Sequence, residues 1–214
     1  MIHQIPKDFC QFYIVRHGET TMNRDHRIQG HFDSDLTNDA INQARQLGKE
    51  LSNIEFAATF SSDLLRANKT AKLIQLEKKS TIIATELIKE RKMGVFEGKK
   101  VEELSQKLKK MLYMLSDPKQ SNIIKSLQVE TIEEVTRRVN LFLRKTALAY
   151  KNKRVLVVTH GGIIGRLLLD LSYQNVKSFE DLKIANLSYL ILNSNGVEYE
   201  IAGVNNIDVL TTEN

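Results

Sequence analysis

Apolar residues follow two different spacings along the chain, and the two spacings alternate. Short continuous runs of aliphatic, β-branched and aromatic residues predict buried strands, at 11–15, 55–60, 81–84 and 154–159. Apolar residues three or four positions apart predict amphipathic helices, at 36–51, 64–74, 99–115 and 131–150. A stretch after His160 that is apolar nearly all round predicts a buried helix. This alternation predicts an α/β fold, a three-layer α/β/α sandwich around a mostly parallel central sheet.

Local signals define the ends of some elements. Thr37 is a predicted N-cap for the first helix, and Ser61-Ser62-Asp63 supplies predicted N-cap residues for the second. Asn195-Gly196 is a favoured turn dipeptide and predicts a terminal hairpin of two strands, at 187–192 and 197–204.

The composition is that of an ordinary globular domain. The chain has 214 residues, of which 42% are hydrophobic and 27% charged, so it can bury a core without disulfides or metal ions. Only 2 Pro and 10 Gly occur, which excludes collagen-like and Pro-rich sequences. No internal repeat or linker interrupts the pattern. We therefore predict a single domain over residues 1–214.

Charge and cysteine content limit which partners and which cellular compartment we expect. The net charge of +5 and the pI of about 9.2 suit a phosphorylated ligand or nucleic acid. Nucleic-acid binding has no other support, because the chain has no Trp and no zinc-finger or RRM pattern. A lone cysteine, Cys10, forbids an intrachain disulfide and favours a reducing compartment. No stretch approaches the roughly 18 apolar residues of a membrane span, so we expect a cytoplasmic protein without a membrane partner.

The clearest candidate chemistry lies where the first predicted strand ends, at Arg16-His17-Gly18-Glu19. Open α/β sheets bind ligands in the crevice beyond the carboxyl ends of their strands. An imidazole there can attack phosphorus and form a covalent phosphoramidate, and an adjacent arginine fork can bind the phosphoryl oxygens. The alternative is a histidine at a loop end that makes only local hydrogen bonds.

Three further residues are candidates for the same site. Arg66 falls in the first turn of a predicted helix, where its charge would add to the positive end of the helix dipole. His160 ends the clearest strand and precedes two glycines, and Glu90 is a candidate proton donor. Each residue also has a purely structural interpretation: a surface arginine, a packed or capping histidine, and a solvated glutamate in a charged run.

Four blocks in a fixed order carry a family resemblance. The first is Arg16-His17-Gly18-Glu19-Thr20 with Asn23, continued by Ile28-Gln29-Gly30-His31-Phe32-Asp33. The other blocks are Ser61–Ala67, Glu90–Lys99 and Val157–Gly162. Together they resemble the histidine phosphatase superfamily, in its phosphoglycerate mutase-like branch, and the glutamate block looks closest to the fructose-2,6-bisphosphatase side.

The resemblance implies a mechanism and a set of site residues. His17 would be the nucleophile that carries the phosphoryl group, and Glu90 would protonate the leaving oxygen and then help to deprotonate water. The implied catalytic residues are His17, Glu90, His160, Arg16 and Arg66. The implied phosphate- and substrate-binding residues are Arg16, Asn23, Gln29, Gly30, Arg66, Arg91, Lys99, His160 and Gly161. The resemblance implies no cofactor and no metal, and the sequence leaves a homodimer open.

The implied activity is that of a metal-independent phosphomonoesterase for small phosphorylated metabolites, with a sugar phosphate or bisphosphate expected. Met93 stands where mutases of the family carry an aromatic residue, and the chain lacks their longer basic insertion, so water is the expected acceptor. Lys92, Lys99 and Lys100 are candidates to bind a second phosphate of the substrate, and the alternative is a solvated charged face. Residues 99–131 are expected to form a cap or substrate loop.

Three alternatives stay open: mutase activity, a nucleotide-binding module, and a non-catalytic binder of phosphorylated ligands. The nucleotide alternative rests on Gly161, Gly162 and Gly165, which follow a strand and loosely imitate a dinucleotide turn, with Glu180 downstream. The chain also departs from the family at Val129, which replaces the glycine of the usual Gly-Glu-Ser or Gly-Glu-Thr. The turn at that point is therefore an open question.

Overall fold

The computed structural model describes residues 4–75, 81–104 and 126–210 of the chain. Its strands are β1 (Cys10–Arg16), β2 (Ala58–Ser62), β3 (Ile82–Thr85), β4 (Arg154–Thr159), β5 (Leu182–Ser194) and β6 (Tyr199–Val209). Their order across the sheet is β3-β2-β4-β1-β5-β6. The first four strands are mutually parallel, whereas β5 runs antiparallel to β1 and β6 antiparallel to β5. The prediction of a mostly parallel sheet is confirmed.

Helices cover both faces of this sheet. Over the described residues they are α1 (Thr21–Arg24), α2 (Asn38–Glu50), α3 (Leu65–Ile74), α4 (Ile132–Ala149) and α5 (Gly161–Asp170). In β1, Phe12 and Ile14 join the core under α4 and α5, and Tyr13 and Val15 join the core under α2 and α3. Two buried faces explain why β1 and β4 are continuous apolar runs. The three-layer α/β/α prediction is confirmed. None of the helices in the described ranges combines the length and apolarity needed to cross a membrane.

The start of α3 differs from the prediction. Thr37 caps α2 as expected, because its side chain accepts the amide of Ala40. Ser61 and Ser62, in contrast, are fully buried residues of β2. The amides of the first turn of α3 donate instead to the carboxylate of Asp33, at 3.0 and 3.4 Å. The Asp33 carboxylate, from a loop far away in the sequence, thus caps α3 in place of the predicted serines.

The terminal hairpin is longer than predicted. β5 begins at Leu182 and tolerates an irregularity in which Leu187 adopts a left-handed conformation, with φ 61°. This break in the alternation explains why the sequence predicted a strand from 187 only. At the turn, the side chain of Asn195 accepts the amides of Val197 and Glu198, and Gly196 has φ 94°.

The predicted helix at 99–115 is wrong over its described part. The segment 98–101 pairs with 26–28 through backbone hydrogen bonds of 2.8 to 2.9 Å, so its amides are committed to another loop. A short 3₁₀ turn follows at Val101–Glu103. Residues 105–115, and most of the predicted cap at 99–131, lie outside the described residues.

Candidate active site

The two histidines meet because β1 and β4 are parallel neighbours. Arg16 pairs with Thr159 at the end of the ladder, so His17 and His160 leave the sheet side by side. The amide of His17 donates to the carbonyl of Thr159 at 2.9 Å. The ring centroids of the two histidines are 5.1 Å apart, with an angle of 63° between the rings. The site thus sits at the carboxyl ends of parallel strands, where the sequence predicted it.

His17 is held as a neutral imidazole with one defined tautomer. Its ring is buried, and its Nδ1 lies 2.8 Å from the carbonyl oxygen of Gly18, so we assign the proton to Nδ1. The Nε2 atom then carries the lone pair. Burial, followed by the charges of Arg66 and Arg16, holds the pKa of His17 well below its usual value. The structure therefore holds His17 as an unprotonated imidazole at neutral pH, with the lone pair on Nε2.

His160 lies beneath His17 and is fully buried. Its Nε2 is 2.8 Å from the hydroxyl of Ser62, which also accepts the amide of Leu64. We therefore assign the Ser62 hydroxyl as donor to Nε2, which places the one N–H proton of the neutral ring on Nδ1. Burial and the charge of Arg66 hold the pKa of His160 well below its usual value. His160 is therefore a neutral donor through Nδ1.

Two arginines flank the histidines, and neither is a surface residue. Arg66 is only 1% exposed, and its terminal nitrogens donate to the carbonyls of Phe32 and Gly30 and to the carboxylate of Asp33, at 2.7 to 3.1 Å. Arg16 donates through Nη1 to the carbonyl of Ile184. The positive end of α3, in contrast, is occupied by Asp33, so Arg66 acts through its guanidinium and not through the helix dipole.

Three buried nitrogen atoms around His17 have no hydrogen-bond partner among the described residues. They are Nε of Arg16, Nε of Arg66 and Nδ1 of His160. A buried donor without a partner is costly, and each such group in a native fold calls for an explanation. Three of them around one unprotonated imidazole are explained together by an anionic ligand that brings several acceptor oxygens.

Glu90 faces the same cavity and is fixed by two backbone amides. Arg91 N donates to its Oε1 at 2.8 Å, and Gly162 N donates to its Oε2 at 3.1 Å. A Cβ at Gly162 would overlap the Glu90 carboxylate. Gly162 thus allows the Glu90 carboxylate to contact the first turn of α5. This close approach explains the glycine without a dinucleotide-binding turn.

An ion pair that the sequence analysis missed holds the segment before Glu90. Arg138 of α4 makes a two-pronged contact with the carboxylate of Glu130, at 2.7 and 2.9 Å. Its remaining N–H groups donate to the carbonyls of Leu87, Lys89 and Glu90, at 2.6 to 3.1 Å. We call these contacts the Arg138–Glu130 clamp. The one feature of the sequence that pointed to the clamp was the Val129-Glu130-Thr131 block, which departs from the family pattern and contains Glu130.

The structure also answers the question about Val129. Val129 is buried with Phe96 and Leu104 in a small separate core. The left-handed conformation of this turn falls on the preceding residue, Gln128, which has φ 56°. The turn forms without a glycine at 129, and Glu130 is presented to the clamp.

Asn186 is a second residue that sequence reasoning missed. It precedes the irregularity at Leu187 in β5, and its Nδ2 donates to the carbonyl of His17 at 2.9 Å. Nδ2 also lies 3.4 Å from Oδ1 of Asn23, which itself accepts from Thr20. Asn186 therefore joins β5 to the loop that carries His17. No periodicity reports such a contact, because it depends on an irregular strand.

A cavity of about 350 Å³ opens above these groups. The candidate site residues that line it are Arg16, His17, Asn23, Gln29, Gly30, Arg66, Glu90, Arg91 and Gly161. His160 lies under its floor. Lys99 does not line it, and its ammonium lies 5.7 Å from the ring centroid of Phe96. Over the described residues, no group of three or more His, Cys, Asp or Glu side chains has the arrangement of a metal site.

Comparison with known proteins agrees with this geometry. The family model of the histidine phosphatase superfamily (branch 1) matches residues 12–207. The chain belongs to this superfamily. Among its relatives, phosphoglycerate mutase-like protein 4 of Arabidopsis thaliana is 30% identical over 85% of this chain and 78% of the relative. The uncharacterized phosphatase PhoE of Bacillus subtilis is 33% identical over 74% of this chain and 76% of the relative.

Solved structures of the superfamily share the fold. The crystal structure of phosphoglycerate mutase from Bacillus anthracis superposes with a TM-score of 0.78 at 25% identity, covering 92% of this chain and 93% of that one. The relatives are thus named both as mutases and as phosphatases. Membership of the superfamily supports phosphatase or mutase chemistry on a phosphorylated metabolite, and the choice between the two reactions rests on the site.

Proposed function

We propose that the protein is a phosphomonoesterase that transfers a phosphoryl group from an ester to His17 and then to water, without a metal ion. The observation that carries this proposal is the set of three unpartnered buried donors, from Arg16, Arg66 and His160, around an unprotonated His17. Such preorganised donors stabilise charge that develops on phosphoryl oxygens. The superfamily match supports the same chemistry.

In the first step, Nε2 of His17 attacks phosphorus, and a nitrogen–phosphorus bond forms as the bond to the ester oxygen breaks. Glu90, in its protonated form, donates a proton to the departing oxygen, and an alcohol leaves. The Nε groups of Arg16 and Arg66 and Nδ1–H of His160 bind the phosphoryl oxygens throughout.

In the second step, water attacks phosphorus and the bond to His17 breaks. The Glu90 carboxylate accepts the proton of the attacking water and is ready for the next cycle. The sum is ester plus water to alcohol plus inorganic phosphate. A second phosphorylated metabolite in place of water would give the mutase reaction, which the names of several relatives keep as the alternative.

Phosphate release from a panel of phosphomonoesters, with chelator present, tests the proposal. We expect release by the wild type and a loss on the order of ten-thousandfold or more in His17→Asn, because the covalent route is removed. His26→Asn is the matched control, since His26 is exposed and does not line the cavity. Isomerisation of one ester with little release would establish the mutase alternative. Absence of both reactions would contradict the proposed function.

We also propose that this activity is cytoplasmic. The chain has one cysteine, Cys10, which is fully buried, and burial raises the pKa of its thiol to about 12. Such a thiol is inert and forms no disulfide, which suits a reducing compartment. Fractionation of cells that express the protein checks the compartment, and recovery outside the cytosolic fraction would contradict it.

A further inference from the structure

The walls of the cavity differ in chemistry from its floor. We call the groups around His17 the floor: His17 itself, Arg16, Arg66 and Glu90. Eight apolar side chains form the walls among the described residues: Ile28, Met93, Val101, Ile132, Val135, Phe179, Leu182 and Ile184. They come from five separate segments of the chain, so the apolar character is not an accident of one helix. The floor therefore suits a phosphoryl group, and the walls suit an apolar substituent.

Neutral polar groups are scarce on these walls. Asn23 and Gln29 are the two neutral polar side chains among the described lining residues. The side-chain oxygen of Asn23 already accepts from Thr20, and that of Gln29 accepts from Ser34 at 3.2 Å. A sugar brings several hydroxyls, and each buried hydroxyl without a partner weakens binding roughly five- to a hundredfold. The described walls thus offer the hydroxyl protons of a sugar few free side-chain acceptors.

Three arginines on the walls, Arg27, Arg91 and Arg166, each make a contact within the protein. Arg27 donates to the carbonyl of Gly98 at 2.7 Å, and Arg91 donates through Nε to the carbonyl of Glu130 at 2.7 Å. Arg166 pairs with Asp170. The three lysines that the sequence made candidates for binding a second phosphate do not line the cavity. The lysines thus give no support for a second phosphate, whereas the three arginines keep their positive charge beside the cavity.

A glycine and a fixed turn set the position of Phe179, the aromatic residue of the wall. A Cβ at Gly165 would overlap the ring of Phe179, so this glycine of α5 gives the ring its place beside the cavity. The turn that carries Phe179 is fixed by Asp181, which accepts the amides of Lys177 and Ser178 at 3.0 and 2.8 Å. The glycine that imitated a dinucleotide turn in the sequence therefore seats an aromatic side chain.

We infer that the site prefers a phosphomonoester whose alcohol is apolar, an alkyl or aryl group, over sugar phosphates. The inference rests on the proposed function. The cavity of about 350 Å³ has the space of roughly a dozen water molecules, which fits a phosphoryl group with a substituent of moderate size. Binding energy then comes from apolar surface removed from water.

A series of straight-chain alkyl phosphates from ethyl to hexyl tests the inference. All members release a primary alcohol, so reactivity at phosphorus stays nearly constant while apolar area grows. We expect kcat/KM to rise about two- to fourfold per methylene group until the cavity is filled. Glycerol 3-phosphate and fructose 1,6-bisphosphate should both be poorer substrates than hexyl phosphate.

Substitutions of Phe179 test whether the dependence of kcat/KM on chain length arises at the cavity walls. Phe179→Ala should lower the ratio of kcat/KM for hexyl and ethyl phosphate, and Phe179→Leu should restore part of it. Leu148→Ala is the matched control, because Leu148 is an exposed apolar residue of α4 away from the cavity, and the ratio should stay unchanged. Phosphate release that is flat or falling with chain length, or highest for the bisphosphate, would overturn the inference alone. No release from any ester would instead contradict the proposed function.

Discussion

The two halves of the candidate site are held in place by different means. His17 and His160 follow directly from neighbouring parallel strands, so the sheet itself sets their distance of 5.1 Å between ring centroids. Glu90 lies on an irregular segment, and its place depends on the Arg138–Glu130 clamp and on two backbone amides. The proposed nucleophile is therefore fixed by secondary structure, and the proposed acid by a few side-chain and backbone contacts. We expect substitutions in the two halves to have effects on activity that differ in kind as well as in size.

After His17 itself, the largest effect is expected from Arg66, which flanks the histidines from the first turn of α3. Arg66→Lys keeps the charge but removes the fork that holds Gly30 and Phe32 and the Nε–H available to a phosphoryl oxygen. We expect kcat/KM to fall about a hundred- to a thousandfold. Steady-state kinetics measures this loss, with Arg45→Lys as control, since Arg45 is an exposed residue of α2. A loss of less than tenfold would contradict the role of Arg66.

The clamp is the direct test of the half that side chains hold. Arg138→Lys removes the two-pronged contact with Glu130 and most bonds to the Glu90 segment. We expect kcat for an alkyl phosphate to fall about ten- to a hundredfold, because that alcohol needs a positioned acid. The rate with 4-nitrophenyl phosphate, whose leaving group needs little protonation, should fall much less.

Arg137→Lys is the control for the clamp, since Arg137 is the exposed neighbour on the same helix. Equal losses on both esters in Arg138→Lys would show a general structural defect. That result would refute the specific link between the clamp and Glu90.

Asn186 connects the histidine half to β5, and a smaller effect is expected there. Asn186→Ala removes the hydrogen bond to the carbonyl of His17 and leaves that carbonyl without this donor. We expect kcat to fall about tenfold with little change in KM, because the loop that carries the nucleophile loses its anchor. An effect on KM alone would mean that Asn186 acts on substrate binding and not on His17.

The smallest effect concerns stability, and it belongs to the histidine half alone. Burial and nearby arginines lower the pKa of both His17 and His160, so below about pH 6.5 the unfolded chain binds protons that the folded chain does not. The free energy of unfolding should therefore be highest above pH 6.5 and decrease as the pH falls, by up to about 1.4 kcal/mol per pH unit for each histidine.

Urea unfolding between pH 5.5 and 7.5 measures this slope. His160→Gln should remove about half of it, whereas His26→Asn, at an exposed position, should leave it unchanged. A slope that is the same in wild type and His160→Gln would show that the buried histidine titrates normally in the folded protein.

The same division explains what could be predicted from the sequence. The strands, the cap at Thr37 and the meeting of His17 with His160 follow from local patterns, because parallel strands of an open sheet end at one edge. The start of α3 was mispredicted since Asp33 caps it from across the site. Arg138 and Asn186 escaped notice because their contacts join segments far apart in the chain, which periodicity does not report.

Trapping of the covalent intermediate tests the central claim most directly. Glu90→Gln, mixed rapidly with 4-nitrophenyl phosphate and quenched in base, should accumulate a phosphorylated protein, because release of the nitrophenol needs no acid and hydrolysis loses its base. Peptide mapping and phosphorus NMR should place the phosphoryl group on Nε2 of His17. Turnover by the wild type without any such adduct in either protein, or an adduct on another residue, would contradict the account.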